Sequence, residues 1–304
     1  MLSQIRQHII KNLWERYHVT TPHIKIIEEA LARKNISPLA LDHFAIIDLP
    51  GLHSGIPQLK DIFTLLGYET RGQGYLPDKQ NDFVWLAEKN SAQQLADQVL
   101  PQVVVADFRL HELPSEIKKI IEKYAQQTQH SPQEEIRDFL TSLNDANVSK
   151  KIIDIILNYF CGRDWPLPTI NEFRAVQEFN ELLAWVLIFG RRPNHFTISV
   201  HLHPYFNDLE HFNEFIKTEA KLALNPDGGI IKGGKHTGIA QSSTLGISET
   251  VSLADGNIDI PTGFVEFVWR YSNVSNKPNL WSDYFTGFIA THANHVIESL
   301  YTEH

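Results

Sequence analysis

Polar side chains capable of binding a metal line one side of an otherwise apolar strand pattern in Arg192–His203, R-P-N-H-F-T-I-S-V-H-L-H. Successive side chains of a β-strand point to opposite faces. His195 and Thr197 therefore share one face, and aromatic and branched residues share the other. This pattern predicts a strand with one core face and one face that lines a wet pocket.

Two further stretches have the same design. In Leu41–Leu49, L-D-H-F-A-I-I-D-L, His43 lies among apolar residues. In Thr262–Tyr271, T-G-F-V-E-F-V-W-R-Y, Glu266 points away from the aromatic side of the strand. Each stretch offers one metal-binding group held among β-branched and aromatic residues.

Two imidazoles and one carboxylate form the facial triad that holds iron(II) and leaves positions open for substrate and dioxygen. We predict that His43, His195 and Glu266 are this triad. A single strand histidine is usually a hydrogen-bonded core or surface residue, so the prediction depends on three stretches of one design. Glu266 carries more weight, because an unpaired buried carboxylate costs several kcal/mol. It needs a cation, and a metal or Arg270 are the local choices.

His201 and His203 form an H-x-H pair on the same strand face as His195. Such a pair binds metals in many proteins, and either residue is an alternative ligand to His195. Because Pro204 ends the strand at once, we expect the pair at the pocket rim or on the surface.

Composition narrows the class of protein. The 304 residues, 42% hydrophobic and 21% charged, suffice for one large or two small domains with a substantial core. A net charge of −9 argues against nucleic acid as a partner. One cysteine excludes an intrachain disulfide and a cysteine-based zinc site, so any metal must bind nitrogen and oxygen.

Targeting signals are not evident in the sequence. No segment approaches the roughly 20 apolar residues of a membrane span. The N-terminus, M-L-S-Q-I-R-Q-H-I-I-K-N-L-W, is amphipathic and lacks the apolar stretch of a secretion signal. We therefore expect no membrane partner and a cytoplasmic protein.

The order of elements predicts an α+β fold in one metal-binding catalytic domain spanning 1–304. Residues 1–36 read as N-terminal helices, 37–112 as a βαβββ module, and 113–190 as a helical insertion that ends in one helix, Ile170–Phe189. Residues 191–304 read as a second module, with a helix over Leu209–Leu224, short strands at Gly229–Lys232 and Gly238–Thr244, and a mixed C-terminal segment, Trp281–Tyr301. A weak structural repeat is predicted.

Several motifs in series resemble the 2-oxoadipate dioxygenase/decarboxylase family, also called hydroxyglutarate synthase and formerly a domain of unknown function. They are D-H-F-A (42–45), G-Y-x-x-R-G (67–72), L-P-D-K (76–79), V-W-L-A (84–87), N-H-F-T-I-S-V-H (194–201), Q-S-S-T (241–244), G-F-V-E-F (263–267) and G-F-x-x-x-x-A-N-H-V-I-E-S (287–299). They cover nearly the whole chain and look closest to the shorter branch of the family.

The resemblance implies a vicinal-oxygen-chelate fold, with half-barrels built from βαβββ modules, and a mononuclear iron(II) site. Its ligands fall on His43, His195 and Glu266. It also implies that a 2-oxo acid and dioxygen are the small-molecule partners, and that 2-oxoadipate becomes 2-hydroxyglutarate and carbon dioxide. No catalytic side chain beyond the metal site is required.

One position departs from the longer branch of the family, which has an arginine four residues after the first histidine for the distal carboxylate of the substrate. Here that position is Ile47. Candidates for the missing charge are Arg71, Lys79, Arg192, Lys232 and Arg270, of which we favour Lys79. Thr197, Gln241 and Ser243 are predicted to hydrogen-bond the bound oxo acid.

Two other classes of function stay open at this point. One is a glyoxalase-like isomerase or hydrolase that uses zinc, nickel or manganese, and the other is a binding protein that has lost catalysis. Retention of two histidines and a glutamate argues against the second class, and this donor set suits iron.

Overall fold

The computed structural model describes residues 1–142 and 146–300. The described helices are α1 (Leu2–Thr20), α2 (His23–Arg33), α3 (Ile56–Leu65), α4 (Ser115–Ala125), α5 (Gln133–Leu140), α6 (Ala146–Tyr159), α7 (Ile170–Phe179), α8 (Glu181–Phe189), α9 (Leu209–Phe215) and α10 (Ala290–Ile297). The strands are β1 (Ala40–Ile47), β2 (Tyr68–Leu76), β3 (Asn81–Glu88), β4 (Gln102–Phe108), β5 (Pro193–Ser199), β6 (Lys232–Gly234), β7 (Ile239–Ser243), β8 (Ser248–Ser252), β9 (Asn257–Pro261) and β10 (Val265–Arg270).

Eight strands form one mixed sheet in the order β2-β3-β4-β1-β5-β10-β7-β6. The first half is β1-α3-β2-β3-β4, with β1 parallel to β4 and antiparallel pairing elsewhere. The second half repeats this arrangement with β5, α9, β6, β7 and β10, while the β8–β9 hairpin is inserted before β10. The predicted α+β fold of two βαβββ half-barrels is confirmed.

The two halves meet where β1 and β5 lie antiparallel, with Phe44 opposite Phe196. His43 is opposite Thr197 and Ala45 is opposite His195, so the pairing is symmetric about the phenylalanine pair. The two histidines therefore occupy equivalent positions in the two modules.

The same equivalence relates the last strands of the modules. Glu266 on β10 pairs with Thr197, two residues after His195. Val104 on β4 pairs with Ala45, two residues after His43. Val104 is thus the first-module counterpart of Glu266, and the sheet carries a carboxylate in one half and a branched apolar side chain in the other.

The outer face of the sheet is an apolar core beneath the helices. Phe44, Ile46, Phe196, Val265 and Phe267 are all 0% exposed there. Helix α1 packs against β5, α3 against β2 to β4, and α9 against β7 and β10. Each such aromatic or branched side chain contributes roughly 1.5–3 kcal/mol on burial, which holds the neighbouring polar residues of the inner face in fixed positions.

Helix α10 spans the open side of the curled sheet. It contacts β2 at one edge and β6 and β7 at the other. Asn294 Nδ2 donates to Asp78 Oδ2 at 3.1 Å, and His295 Nδ1 lies 2.7 Å from Asp227 Oδ2. The C-terminal segment therefore encloses the inner face of the sheet.

Local elements differ from the sequence predictions at several points. The predicted helix Ile170–Phe189 is broken at Asn180, which has an extended backbone conformation. The side-chain oxygen of Asn180 accepts a hydrogen bond from Leu183 N at 2.9 Å and caps the start of α8. The predicted helix over Leu209–Leu224 leaves α-geometry after Phe215 and continues as a π-turn.

Three further differences concern the second module and the C-terminus. The strand predicted at Gly229–Lys232 lies at Lys232–Gly234 instead, and the β8–β9 hairpin had no predicted counterpart. Tyr301, the last residue of the predicted C-terminal segment, lies outside the described residues. Among the described helices, none combines the length and apolar character needed to cross a membrane.

Candidate metal centre and substrate pocket

The structure brings together the three predicted metal ligands, one from each of the neighbouring strands β1, β5 and β10. Glu266 Oε2 lies 3.4 Å from His43 Nε2 and 3.3 Å from His195 Nε2. The three donor atoms all lie within 4.8 Å of one another, and all three residues are buried. This group can hold a metal ion.

Each imidazole is oriented by the residue that precedes it. His43 Nδ1 donates to Asp42 Oδ1 at 2.7 Å, and His195 Nδ1 donates to Asn194 Oδ1 at 3.0 Å. Fixing Nδ1 in this way leaves Nε2 of each ring directed at Glu266, as is usual for metal-binding histidines.

Two polar side chains hold the carboxylate. Thr197 Oγ1 donates to Glu266 Oε2 at 2.8 Å and lies 3.0 Å from His43 Nε2. Gln241 Nε2 donates to the other oxygen, Oε1, at 2.5 Å. Thr197 and Gln241 were predicted to contact substrate, and the structure places both beside the candidate ligand Glu266.

Asp42 is itself held by a buried ion pair with Arg270. Arg270 Nε donates to Asp42 Oδ2 at 2.8 Å and Nη2 to Oδ1 at 2.7 Å. Arg270 Nη1 donates to the carbonyls of Phe285 and Gly287 at 2.9 and 3.0 Å. Arg270 thus connects His43, through Asp42, to the loop that leads into α10.

Burial and charge compete in this cluster. Burial opposes the charged form of His43, but the carboxylates of Glu266 and Asp42 outweigh it and raise the His43 pKa. Burial also raises the pKa of Glu266, yet the two imidazoles and Gln241 bring it down to about 2. The pKa of His195 is lowered to about 4, chiefly by burial. Glu266 is therefore ionised, with the two imidazoles and Gln241 as the groups that stabilise its charge.

The donor set fits a divalent metal ion. When two ligand atoms each lie about 2.1 Å from the same ion and the ligand–ion–ligand angle is about 90–110°, the two ligand atoms lie about 3.0–3.4 Å apart. The two distances to Glu266 Oε2, 3.4 and 3.3 Å, agree with this spacing. Two imidazoles with one carboxylate, without thiolate, are typical of iron(II) sites that keep positions open.

A pocket with a cavity volume of about 50 Å³ opens above the three donors. Val104, the counterpart of Glu266, lies in its wall, so the first module contributes no fourth donor there. Phe288 covers His43, with ring centroids 4.7 Å apart. Ile47, four residues after His43 on β1, also lines this pocket.

The basic residues predicted to bind substrate are all engaged elsewhere. Lys79, the favoured one, is buried between Glu181 at 3.0 Å and Glu298 at 2.5 Å. Arg71 lies on the surface of β2, 2.6 Å from Glu69. Neither is among the residues that line the pocket.

Three other predicted contacts also have partners within the protein. Ser243 Oγ lies 2.7 Å from Ser299 Oγ rather than in the pocket wall. Arg192 Nη2 donates to the Thr262 carbonyl at 3.0 Å. Lys232 Nζ donates to the Asn225 carbonyl at 3.0 Å. Their predicted contacts with substrate stay predictions.

The H-x-H pair does not join the donor group. His203 Nε2 lies 2.9 Å from Ser37 Oγ near the surface. The His201 ring packs between Trp269 and Tyr284, with centroid distances of 6.4 and 4.8 Å, and both its nitrogens are shielded from solvent. His201 is therefore shielded by aromatic side chains instead of standing at the rim.

This burial predicts a pH effect on stability. Burial lowers the pKa of the His201 imidazole from 6.5 to about 4. Between these pH values the unfolded chain takes up a proton that the folded chain does not. The free energy of unfolding should therefore decrease from pH 6.5 to 4, with a contribution from His201 of up to about 3 kcal/mol. Urea unfolding across this range should show a smaller decrease for His201→Phe. Equal slopes for the two proteins would contradict the assignment.

Asp42 and Asn194 are the functional residues that we did not predict. They immediately precede His43 and His195 at equivalent positions of the two modules. The shared dipeptide pattern, an oxygen-bearing side chain followed by histidine, is the sequence signal that identifies them.

The chain has the half-barrel fold of glyoxalase-like proteins, and its donor set could hold a metal ion. A putative glyoxalase superfamily protein from Ralstonia eutropha JMP134 has a similar fold, with a TM-score of 0.71 at 16% identity over 88% of this chain and 83% of that one. The hydroxyglutarate synthase from Oryza sativa in complex with 2-oxoadipate superposes with a TM-score of 0.78 at 24% identity, over 98% of this chain and 93% of that one.

Sequence similarity identifies the protein family more narrowly than the fold does. Residues 9–280 match the family described as 2-oxoadipate dioxygenase/decarboxylase. The chain is 27% identical over 293 residues to the chloroplastic 2-oxoadipate dioxygenase/decarboxylase of Arabidopsis thaliana, which covers 93% of this chain and 74% of the relative. The chain belongs to the 2-oxoadipate dioxygenase/decarboxylase family. The predicted resemblance and the predicted class of enzyme, an oxygenase, are confirmed.

Proposed function

We propose that this protein is an iron(II)-dependent dioxygenase/decarboxylase that converts a small 2-oxo acid into the 2-hydroxy acid one carbon shorter. The observation that carries the proposal is the buried group of His43, His195 and Glu266 at the base of a pocket, in a chain of this family. Relatives of the chain are named for 2-oxoadipate, which would give 2-hydroxyglutarate.

His43, His195 and Glu266 would hold the iron. Bound there, iron(II) would supply open coordination positions for the carboxylate and keto oxygen of the substrate and for dioxygen. Asp42 and Asn194 keep both Nε2 atoms aimed at the ion, and Thr197 and Gln241 hold the carboxylate. Arg270 acts as a positioning residue for Asp42.

The overall reaction balances without a further reductant. The bond between C1 and C2 of the acid breaks, and C1 leaves as carbon dioxide. One oxygen atom of dioxygen enters the new carboxylate at the former C2, and the other enters a hydroxyl group on the former C3. Decarboxylation and hydroxylation each supply two electrons, and dioxygen accepts four.

The pocket side chains would exclude water and orient the substrate. Phe288 and Val104 cover the donors with apolar surface. Gln241 lines the pocket, and its Oε1 atom is buried without a hydrogen-bond partner among the described residues. Because buried acceptors normally have donors, we infer that Gln241 Oε1 accepts a hydrogen bond from a water molecule or a hydroxyl group close to the reacting atoms.

Oxygen uptake by protein loaded anaerobically with iron(II) tests the proposal. A panel of 2-oxo acids that includes 2-oxoadipate should give one carbon dioxide for each dioxygen consumed, and zinc-loaded protein should give neither. A conversion without oxygen consumption would favour an isomerase or hydrolase. Absence of turnover across the panel, with iron bound, would reject the proposal.

The location of the protein is a separate matter. The cytoplasmic location expected from the N-terminus stays a prediction, and the named relatives from Arabidopsis thaliana and Oryza sativa are chloroplastic or chloroplastic/amyloplastic.

A further inference from the structure

The pocket wall beyond the three donors is apolar. Its residues come mainly from the first module and from α10, and include Ile47, Leu76, Phe83, Ala106, Val296 and Ile297. Among the described residues of this wall, Asn81 and Gln241 are the polar exceptions; Asn81 Nδ2 already donates to the Asp107 carbonyl at 2.8 Å, and Gln241 Nε2 to Glu266 Oε1 at 2.5 Å. The wall therefore offers an apolar surface against which the tail of a substrate can pack, and it carries no formal charge.

A cation on this side of the pocket is already held by carboxylates. Lys79, two residues before Asn81, contacts two carboxylates, at 3.0 Å on Glu181 and 2.5 Å on Glu298. The distal carboxylate of a dicarboxylic acid brought to this place would meet the repulsion of both.

Two other buried cations, Arg270 and Lys232, lie on the opposite side or have partners. Arg270 is committed to Asp42 and to two backbone carbonyls. Lys232 lies on β6, where it pairs with Gln241 of β7, and the metal donors lie between it and strands β2 to β4. Lys232 Nζ donates to the Asn225 carbonyl. Neither faces the apolar wall.

The strand geometry places Ile47 farther along the same pocket wall as His43. Ile47 shares the inner face of β1 with His43, four residues away, which is roughly 13 Å at about 3.3 Å per residue. An acid of six carbons held at the donors would be shorter than this separation, so its tail would lie along the wall between the two residues. Burying a terminal carboxylate there without a partner is strongly unfavourable.

We infer, on the basis of the proposed function, that this protein prefers 2-oxo acids with an uncharged aliphatic tail of about four carbons over the dicarboxylic 2-oxoadipate. 2-Oxohexanoate has the same number of carbons as 2-oxoadipate but ends in a methyl group. Its turnover would give 2-hydroxypentanoate and carbon dioxide by the bond changes described above.

The test compares kcat/KM for the two acids in oxygen-uptake assays, together with their Kd values for anaerobic iron(II)-loaded protein by calorimetry. We expect 2-oxohexanoate to be favoured by about 100-fold in both measurements. Ile47→Arg should lower this ratio at least tenfold by giving a terminal carboxylate a partner, whereas Ile47→Leu should keep it within about threefold.

The outcomes separate the two proposals. A preference of the unaltered protein for 2-oxoadipate would overturn this inference while leaving the proposed function intact. No uptake with either acid, with iron bound, would reject both. If Ile47→Arg does not fold, the two Kd values of the unaltered protein still decide the question.

Discussion

Replacement of Glu266 by glutamine is expected to abolish oxygen uptake and to weaken iron(II) binding on the order of 10³-fold, or about 4 kcal/mol. Glutamine keeps the shape of the side chain but removes the only carboxylate of the predicted ligand set. Because Thr197 and Gln241 can still hydrogen-bond an amide, the metal-free protein should keep its fold. Metal content after dialysis and calorimetric titration with iron(II) measure the effect.

The matched control is Glu249→Gln, the same substitution at an exposed position of β8. It should leave metal binding and oxygen uptake unchanged. Normal metal content in Glu266→Gln would show that the ion binds elsewhere. A variant that binds iron normally but lacks activity would give Glu266 a role other than that of a ligand.

Replacement of Arg270 by methionine should destabilise the metal-free protein by about 3–5 kcal/mol, because it leaves Asp42 buried without its cation. Burial alone would raise the pKa of Asp42, and Arg270 is the main group that holds this pKa well below its usual value. Without the pair, Asp42 no longer fixes His43, so iron(II) affinity should fall roughly 10–100-fold. Urea unfolding and metal titration measure the two effects separately.

A second buried arginine provides the control. Arg191 is 1% exposed and pairs with Asp48 and Asp164, away from the donors. Arg191→Met should cost similar stability but change iron(II) affinity less than about threefold. If both variants lost affinity equally, the effect would reflect general loosening. If Arg270→Met kept full affinity, Arg270 would have no positioning role.

The three donors could be predicted because a strand repeats every two residues, and an ionisable group on an apolar strand stands out at that period. Local signals also predicted the modules, since Gly and Pro separate their strands. The pairing of β1 with β5, which brings His43 next to His195, is a contact across about 150 residues that no local pattern contains. The alternation specifies which side chains share a face but not which strands become neighbours.

The role of a basic residue depends on partners that lie far away in the sequence. Lys79 and Arg270 were considered as substrate contacts because each lies close in sequence to a motif. Their partners, Glu298 and Asp42, are about 220 residues away in the chain. Which cation is already paired is a property of tertiary packing, and Glu298, the residue after α10, contributes to it from the far end of the sequence.

The unequal contributions of the two modules bear on how such a protein diverges. The second module provides two of the three donors, and the first provides His43 together with most of the wall beyond. Substitutions along β2 to β4 can therefore change which acid is accepted while the ion-binding residues stay constant. In a duplicated fold of this kind, the residues of one module can stay constant and preserve the reaction while substitutions in the other module change the substrate. Paralogues should therefore differ chiefly in the first module.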